Sequence, residues 1–336
     1  MTQERILLAH GSGGLMSQRL IDEVFKQAWR NEIMEAMLDG AILQVPAGRL
    51  AMSTDSFVIT PLFFPGGDIG KLSICGTVND LLACGATPLY LSTAFIIEEG
   101  LPLADLRVIA ASMAQTAREV GVKLVTGDTK VVEKGSADGV FINTTGIGII
   151  PADIDYRPQR IQPQDQVIVT GCVGDHGLAI LARREGLAFS TPVVSDCAAL
   201  IQLREIISQY GNAIRCMRDP TRGGLATVLN EIAVQAGVGI HVKEADIPVA
   251  PAVQGACDLL GMDPLYMANE GKMVIFVAAA LAQSLLNDLR RLPQTQAASI
   301  IGQISAETPG MVLIETELGA QRILGILEGE HVPRIC

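Results

Sequence analysis

The sequence predicts an α/β protein built as two domains of α+β layers, followed by a flexible tail. Three observations predict it. Strand-like apolar runs alternate with helical periods along both halves of the chain. At 336 residues the chain exceeds the roughly 250 residues that one core usually serves. Residues 151–166 hold three prolines and several charges but few apolar residues, so they read as a linker. The expected domains are therefore 1–155 and 160–322, with the tail over 323–336.

In the first half, residues 50–59 read as a strand, 71–84 as a helix, 90–97 as a strand and 103–120 as an amphipathic helix. Residues 122–126 and 140–150 complete that set as strands. In the second half, strands are expected over 166–170, 238–242, 273–277 and 298–304. Helices are expected from 177 to 184, 196 to 210, 223 to 236 and 280 to 292. The last dozen residues show no sustained period and read as an exposed tail.

Composition removes several classes. A net charge of −11 with 4% aromatic residues argues against a nucleic-acid partner, which requires a basic stripe and stacking rings. The longest apolar run, residues 273–282, is about half of the roughly 20 residues a membrane span requires, so no membrane association is expected. The first residues, Met-Thr-Gln-Glu-Arg, lack the features of a secretory signal, and a cytoplasmic location is expected. The seven cysteines are odd in number and include no C-x-x-C pair, and the four histidines show no metal-ligand spacing. Reduced thiols follow, six of them reading as small buried hydrophobes.

The seventh is Cys336, the last residue, in Pro333-Arg334-Ile335-Cys336. A thiol at the end of a mobile segment is solvent-exposed, can move between sites and has no packing role. The terminal carboxylate disfavours its thiolate and Arg334 favours it, so reactivity depends on where the tail docks. Extended, the tail reaches on the order of 40 Å, enough to enter a cleft or a partner's active site.

Three carboxylate motifs stand where strand-like runs meet turns or helices: Ser53-Thr54-Asp55-Ser56, Asn79-Asp80 and Thr126-Gly127-Asp128-Thr129-Lys130. A turn or capping aspartate is the ordinary reading of each alone. Together they suit a metal–nucleotide site, because Mg²⁺ binds through one or two carboxylates plus phosphate oxygens and water. Pro65-Gly66-Gly67-Asp68-Ile69-Gly70-Lys71 invites a phosphate-loop reading with Lys71 as the charge, but Pro65 and Leu72 break the Walker A pattern. His10-Gly11-Ser12-Gly13-Gly14 lacks the third glycine of a dinucleotide fingerprint and reads as a flexible lead-in. In the second half, Arg218-Asp219-Pro220-Thr221-Arg222-Gly223-Gly224 precedes a helix and reads either as an anion site or as a cap with a salt bridge. Asn269-Glu270-Gly271-Lys272 is locally no more than a solvated turn.

Taken together, these motifs resemble the HypE family of hydrogenase maturation proteins, the carbamoyl dehydratases. The resemblance runs through essentially the whole chain and adds Pro61-Leu-Phe-Phe-Pro-Gly-Gly67, Glu98-Glu-Gly-Leu-Pro102 and Gly174-Asp-His-Gly177 to the motifs above. Several are shared with the wider superfamily of aminoimidazole ribonucleotide synthetase, selenophosphate synthetase and thiamine monophosphate kinase; the terminal Pro-Arg-Ile-Cys is specific. The resemblance implies a homodimer formed through the first domain's sheet, with ATP near the interface. It also implies that Cys336 receives a carbamoyl group from the carbamoyltransferase HypF. ATP-dependent dehydration then yields a thiocyanate, whose cyano group passes to iron on a HypC–HypD scaffold.

On that resemblance Cys336 is the covalent carrier, Asp55, Asp80 and Asp219 hold Mg²⁺ and phosphate, and Asp128 is a further nucleotide-site acid. Lys71 serves phosphate, Glu270 and Lys130 remove or relay the amide protons, and Arg334 seats the tail. The alternatives are a non-catalytic thiol carrier and another ATP-dependent synthetase or kinase of the superfamily. An N-terminal reactive cysteine, expected of the selenophosphate branch, is absent before Cys75.

Overall fold

Strands β1 (Arg49–Phe57), β2 (Thr87–Glu98), β3 (Lys123–Val132) and β4 (Val140–Ile150) form one sheet in the order β1-β4-β2-β3. β3 lies parallel to β2 and the other neighbours are antiparallel. This is a computed structural model that describes residues 4–35, 40–187, 191–326 and 334–336. Burial alternates along β1 and β4, the mark of a sheet with one face covered and the other open. Helices α1 (Ile69–Ala83) and α2 (Leu103–Val120) cover the first face. Leu50, Met52 and Ile96 stand exposed on the second.

Every residue of α1 is buried except Lys71 and Asp80. A helix apolar or small on all sides is a core helix, and α1 serves both halves of the molecule. One hydrophobic cluster runs from Phe57 and Phe95 of the first sheet through Leu72 and Ile74 of α1 to Leu203, Met217 and Ile275 of the second half.

The second half comprises β5 (Gln166–Val169), α3 (Asp175–Glu185), α4 (Leu203–Tyr210), β6 (Ile214–Arg218), α5 (Gly224–Ala236) and β7 (Gly239–Lys243). It continues with α6 (Pro251–Leu260), β8 (Val274–Val277), α7 (Ala279–Leu289), β9 (Ser299–Ser305), β10 (Val312–Glu315) and β11 (Gln321–Ile323). Its seven strands are ordered β11-β10-β7-β9-β5-β8-β6. β8 is buried at all four positions, as its unbroken apolar run requires. Among the described residues no helix is long and apolar enough to cross a membrane.

Several expectations change. The helix expected over 196–210 begins only at Leu203: the Asp196 side chain accepts from the distant Glu270 N–H, and Ser195 Oγ accepts from Cys197 N–H in a local turn. The 151–166 segment is packed: Ile154 and Ile161 are buried, and Arg157 N–H donates to the Arg215 carbonyl. Gly11 is no loose lead-in, since a Cβ there would lie 2.5 Å from the Val131 nitrogen of β3. Residues 327–333 of the expected tail lie outside the described residues; Arg334–Cys336 are docked, with Ile335 buried, Cys336 half-buried and only Arg334 exposed.

Candidate active site

A cleft of about 1080 Å³ opens between β1 and α1 on one side and β6, the start of α5 and the Tyr266–Ala268 segment on the other. Asp55, Asp80, Asp219, Arg222 and Cys336 line it. With Arg334, which also lines it, the fold therefore gathers five of the sequence-predicted site residues, from four separate segments, together with the Arg222 of the second-half motif.

Each carboxylate is set by its own element. Asp55 faces the covered side of β1, where Thr77 of α1 donates to it at 3.2 Å. Thr77 is in turn 2.6 Å from Thr144. Asp80, one of the two partly exposed positions of α1, accepts from Ser53 Oγ at 2.5 Å. Asp219 follows β6 directly. Burial, then the Asp80 charge, raises the Asp55 carboxyl to about 6 and that of Asp219 to about 7. These acids repel one another in a desolvated place, an arrangement that a cation would relieve. Among the described residues no three acidic, His or Cys side chains are close enough to make a metal cage of their own. That fits an ion whose coordination is completed by phosphate oxygens and water rather than by protein alone.

Glu270 lies behind this cleft on a loop that is locked from several sides. Asp196 accepts from the Glu270 and Gly271 N–H groups at 3.0 and 3.1 Å and from Lys272 Nζ at 3.0 Å. Asn79 of α1 donates to the Ala198 carbonyl at 3.0 Å and to that of Glu270 at 3.4 Å. The Asn269 amide accepts from Gly174 N–H at 2.8 Å and donates to the Pro220 carbonyl at 2.9 Å. Glu270 itself is buried, and its Oε1 has no hydrogen-bond partner among the described residues. Burial first, then the Asp219 and Asp196 charges, push its carboxyl well above the usual range. What reads locally as a solvated turn is thus a braced, buried acid.

The terminal residues dock along the segment after β1. Val58 N–H donates to the Cys336 carbonyl end at 3.0 Å, and Thr60 N–H to the Arg334 carbonyl at 3.4 Å. Arg184 also donates to the Arg334 carbonyl, at 2.7 Å, while the Arg334 guanidinium pairs with Asp138 at 2.7 Å. Burial, then Glu270, push the Cys336 thiol up to about 12, with Arg222 opposing. The exposed thiol expected from sequence is a half-buried one inside the cleft.

Three expected residues are not brought to the cleft. Lys71 Nζ turns back to the Gly66 carbonyl at 2.9 Å, closing the turn whose Asp68 caps α1. Asp128 and Lys130 pair with each other at 2.7 Å and are exposed. Register explains their distance: they oppose Ala94 and Ile96 of β2, on the open face, whereas Asp55 points to the helix-covered face. Sequence reasoning missed Arg184, Ser195 and Asp196 and noted His176 only through a motif. Ser195-Asp196 carried a misleading signal, because the pair reads as a helix start.

Two α/β halves meeting over an acidic cleft define the class, and the chain matches AIR synthase related proteins, the N-terminal domain over residues 37–150 and the C-terminal domain over 162–332. Within that class the chain belongs to the HypE family of carbamoyl dehydratases. It is 50% identical over 329 residues to carbamoyl dehydratase HypE of Azotobacter vinelandii, covering 98% of this chain and 96% of that protein. A crystal structure of HypE in complex with ATP superposes with a TM-score of 0.94 at 47% identity, covering 98% of this chain and 99% of that one. A crystal structure of a HypE–HypF complex matches with a TM-score of 0.81 at 48% identity, covering 92% of this chain and 99% of that one.

Proposed function

We propose that this chain dehydrates an S-carbamoyl group carried on Cys336 to a thiocyanate, consuming ATP, to supply the cyanide ligand of a nickel–iron hydrogenase. The observation that carries the reading is the docking of Cys336 in one cleft with Asp55, Asp80 and Asp219. A carrier without catalysis has no use for a thiol seated among repelling carboxylates.

The amide oxygen of the carbamoyl group attacks the γ-phosphorus of ATP, releasing ADP and giving an O-phosphorylated imidate. Loss of the two N–H protons and departure of phosphate complete the C≡N bond. Asp55, Asp80 and Asp219 would hold Mg²⁺, which would supply charge neutralisation for the phosphates of ATP. Glu270 is the proposed acceptor of an amide proton, a carboxyl that burial first, then the Asp219 and Asp196 charges, hold above its usual range. A cation at Asp219 would lessen one of those contributions. Arg334 seats the tail through Asp138. Lys71 is assigned to its turn rather than to phosphate.

Asp128 and Lys130 reach such a cleft from a second copy. The open face of the first sheet, with Leu50 and Met52 60% and 72% exposed, is the face a homodimer would cover. The donor is proposed to be HypF and the acceptor a HypC–HypD complex, and the reaction is proposed to run in the cytoplasm.

The test loads Cys336 from HypF with a carbamoyl group labelled with oxygen-18, adds Mg²⁺ and ATP, and follows the terminal peptide and the phosphate by mass spectrometry. Cyanated Cys336 with the label in phosphate is expected. Label released as water, or a carbamoyl group that persists, overturns the reading.

A further inference from the structure

His176 is fully buried at the start of α3, yet both its ring nitrogens are engaged. Nδ1 lies 2.7 Å from Ser195 Oγ and Nε2 lies 2.7 Å from the Ile335 carbonyl. The partners fix the tautomer. A carbonyl only accepts, so Nε2 carries the proton, and Nδ1 must accept from the Ser195 hydroxyl. Ser195 Oγ meanwhile accepts from Cys197 N–H at 3.0 Å, which leaves its own proton for the imidazole. Burial lowers the imidazole pKa and keeps the ring neutral. Phe64 closes the site edge-on at 5.5 Å.

The carbonyls of Arg334 and Cys336 bond to the segment after β1, and the one between them turns the other way, to His176. Arg334 adopts φ 53°, a left-handed conformation that costs a non-glycine residue and persists only where its surroundings hold it. The same four residues that bring His176 also hold the Glu270 loop. Gly174 N–H donates to Asn269, Gly177 N–H donates to the Ala268 carbonyl at 3.0 Å, and Asp175 lies 3.9 Å from Lys272.

We infer that His176, oriented by Ser195, is a positioning residue that sets where the Cys336 group stands against Glu270. The inference rests on the dehydratase reading above. His176 touches neither the thiol nor nucleotide; it holds the backbone one residue before the reacting group, from a segment that also holds the base.

The experiment compares the full-length wild type with His176→Leu, His176→Gln and Ser195→Ala, with HypF, carbamoyl phosphate, Mg²⁺ and ATP. Total modified Cys336 reports loading, and the cyanated fraction reports dehydration. Leucine fills the space without a donor; glutamine restores an N–H near Nε2. His176→Leu is expected to slow dehydration about tenfold, the equivalent of one lost hydrogen bond of about 1.4 kcal/mol, with loading and ATP affinity unchanged. His176→Gln should recover most of that loss, and Ser195→Ala should show a smaller loss in the same step. Leucine and glutamine variants that behave alike, or a loss shared equally by loading, overturn the inference. Should the His176 variants fail to fold, unaltered dehydration by Ser195→Ala overturns it. A wild type that loads but never forms thiocyanate removes the dehydratase reading instead.

Discussion

A thiol with a pKa near 12 is a poor nucleophile at neutral pH, and Cys336 is in that state only while docked. The upward shift leaves little thiolate in the docked state. Loading with a carbamoyl group therefore belongs to the undocked tail, where burial and Glu270 no longer act. The rate of alkylation by iodoacetamide at pH 8 should accordingly report the undocked fraction. Arg184→Ala, which removes donors to the Thr60 and Arg334 carbonyls, should raise that rate about fivefold or more. Equal rates in wild type and variant would sink the idea that docking silences the thiol.

The loop carrying Glu270 shows what individual elements contribute. Gly224, at the start of α5, has φ 63°, and a Cβ there would lie 2.6 Å from both the Leu265 and Met267 carbonyls. Gly224→Ala should thus destabilise the fold by about 3 kcal/mol or more, read as a lower denaturant midpoint, and should impair dehydration even where the protein still folds. A variant as stable as wild type would mean that α5 does not brace the loop. Elements of this kind were unevenly legible in the sequence. α2 and β8 were readable because their periods and runs answer to one core face. α6 was missed although Pro251 opens it and Gly261 ends it, a start and stop signal that period counting ignores. β6, β10 and β11 are three to five residues long and, unlike the equally short β8, are not apolar throughout. In the site, Asp55, Asp80, Asp219 and Glu270 were legible through motifs, whereas Asp196 was not, since its partners lie some 75 positions away in sequence.

At the scale of the molecule, one chain carries Cys336 on the covered side of its first sheet and Lys130 on the open side. On the proposed reading, in which one site uses both, a second copy would have to complete it. Mixing Lys130→Ala chains with Cys336→Ala chains, each inactive alone, should restore about a quarter of wild-type activity, because half the dimers are mixed and each holds one whole site. An active Lys130→Ala variant would place Lys130 outside the reaction, and no recovery on mixing would require it to act within its own chain. The docked end has a consequence of its own. Among the described residues its hydrogen bonds run to the carbonyls of the last three residues and to Arg334, and none runs to the sulfur of Cys336. The dock reads the address and not the parcel: bare, loaded and spent tails present it with the same backbone. Those hydrogen bonds do not distinguish the finished product from the bare tail, so on the proposed reading direction comes from the surroundings of the sulfur, from the nucleotide or from the acceptor that takes the cyano group away.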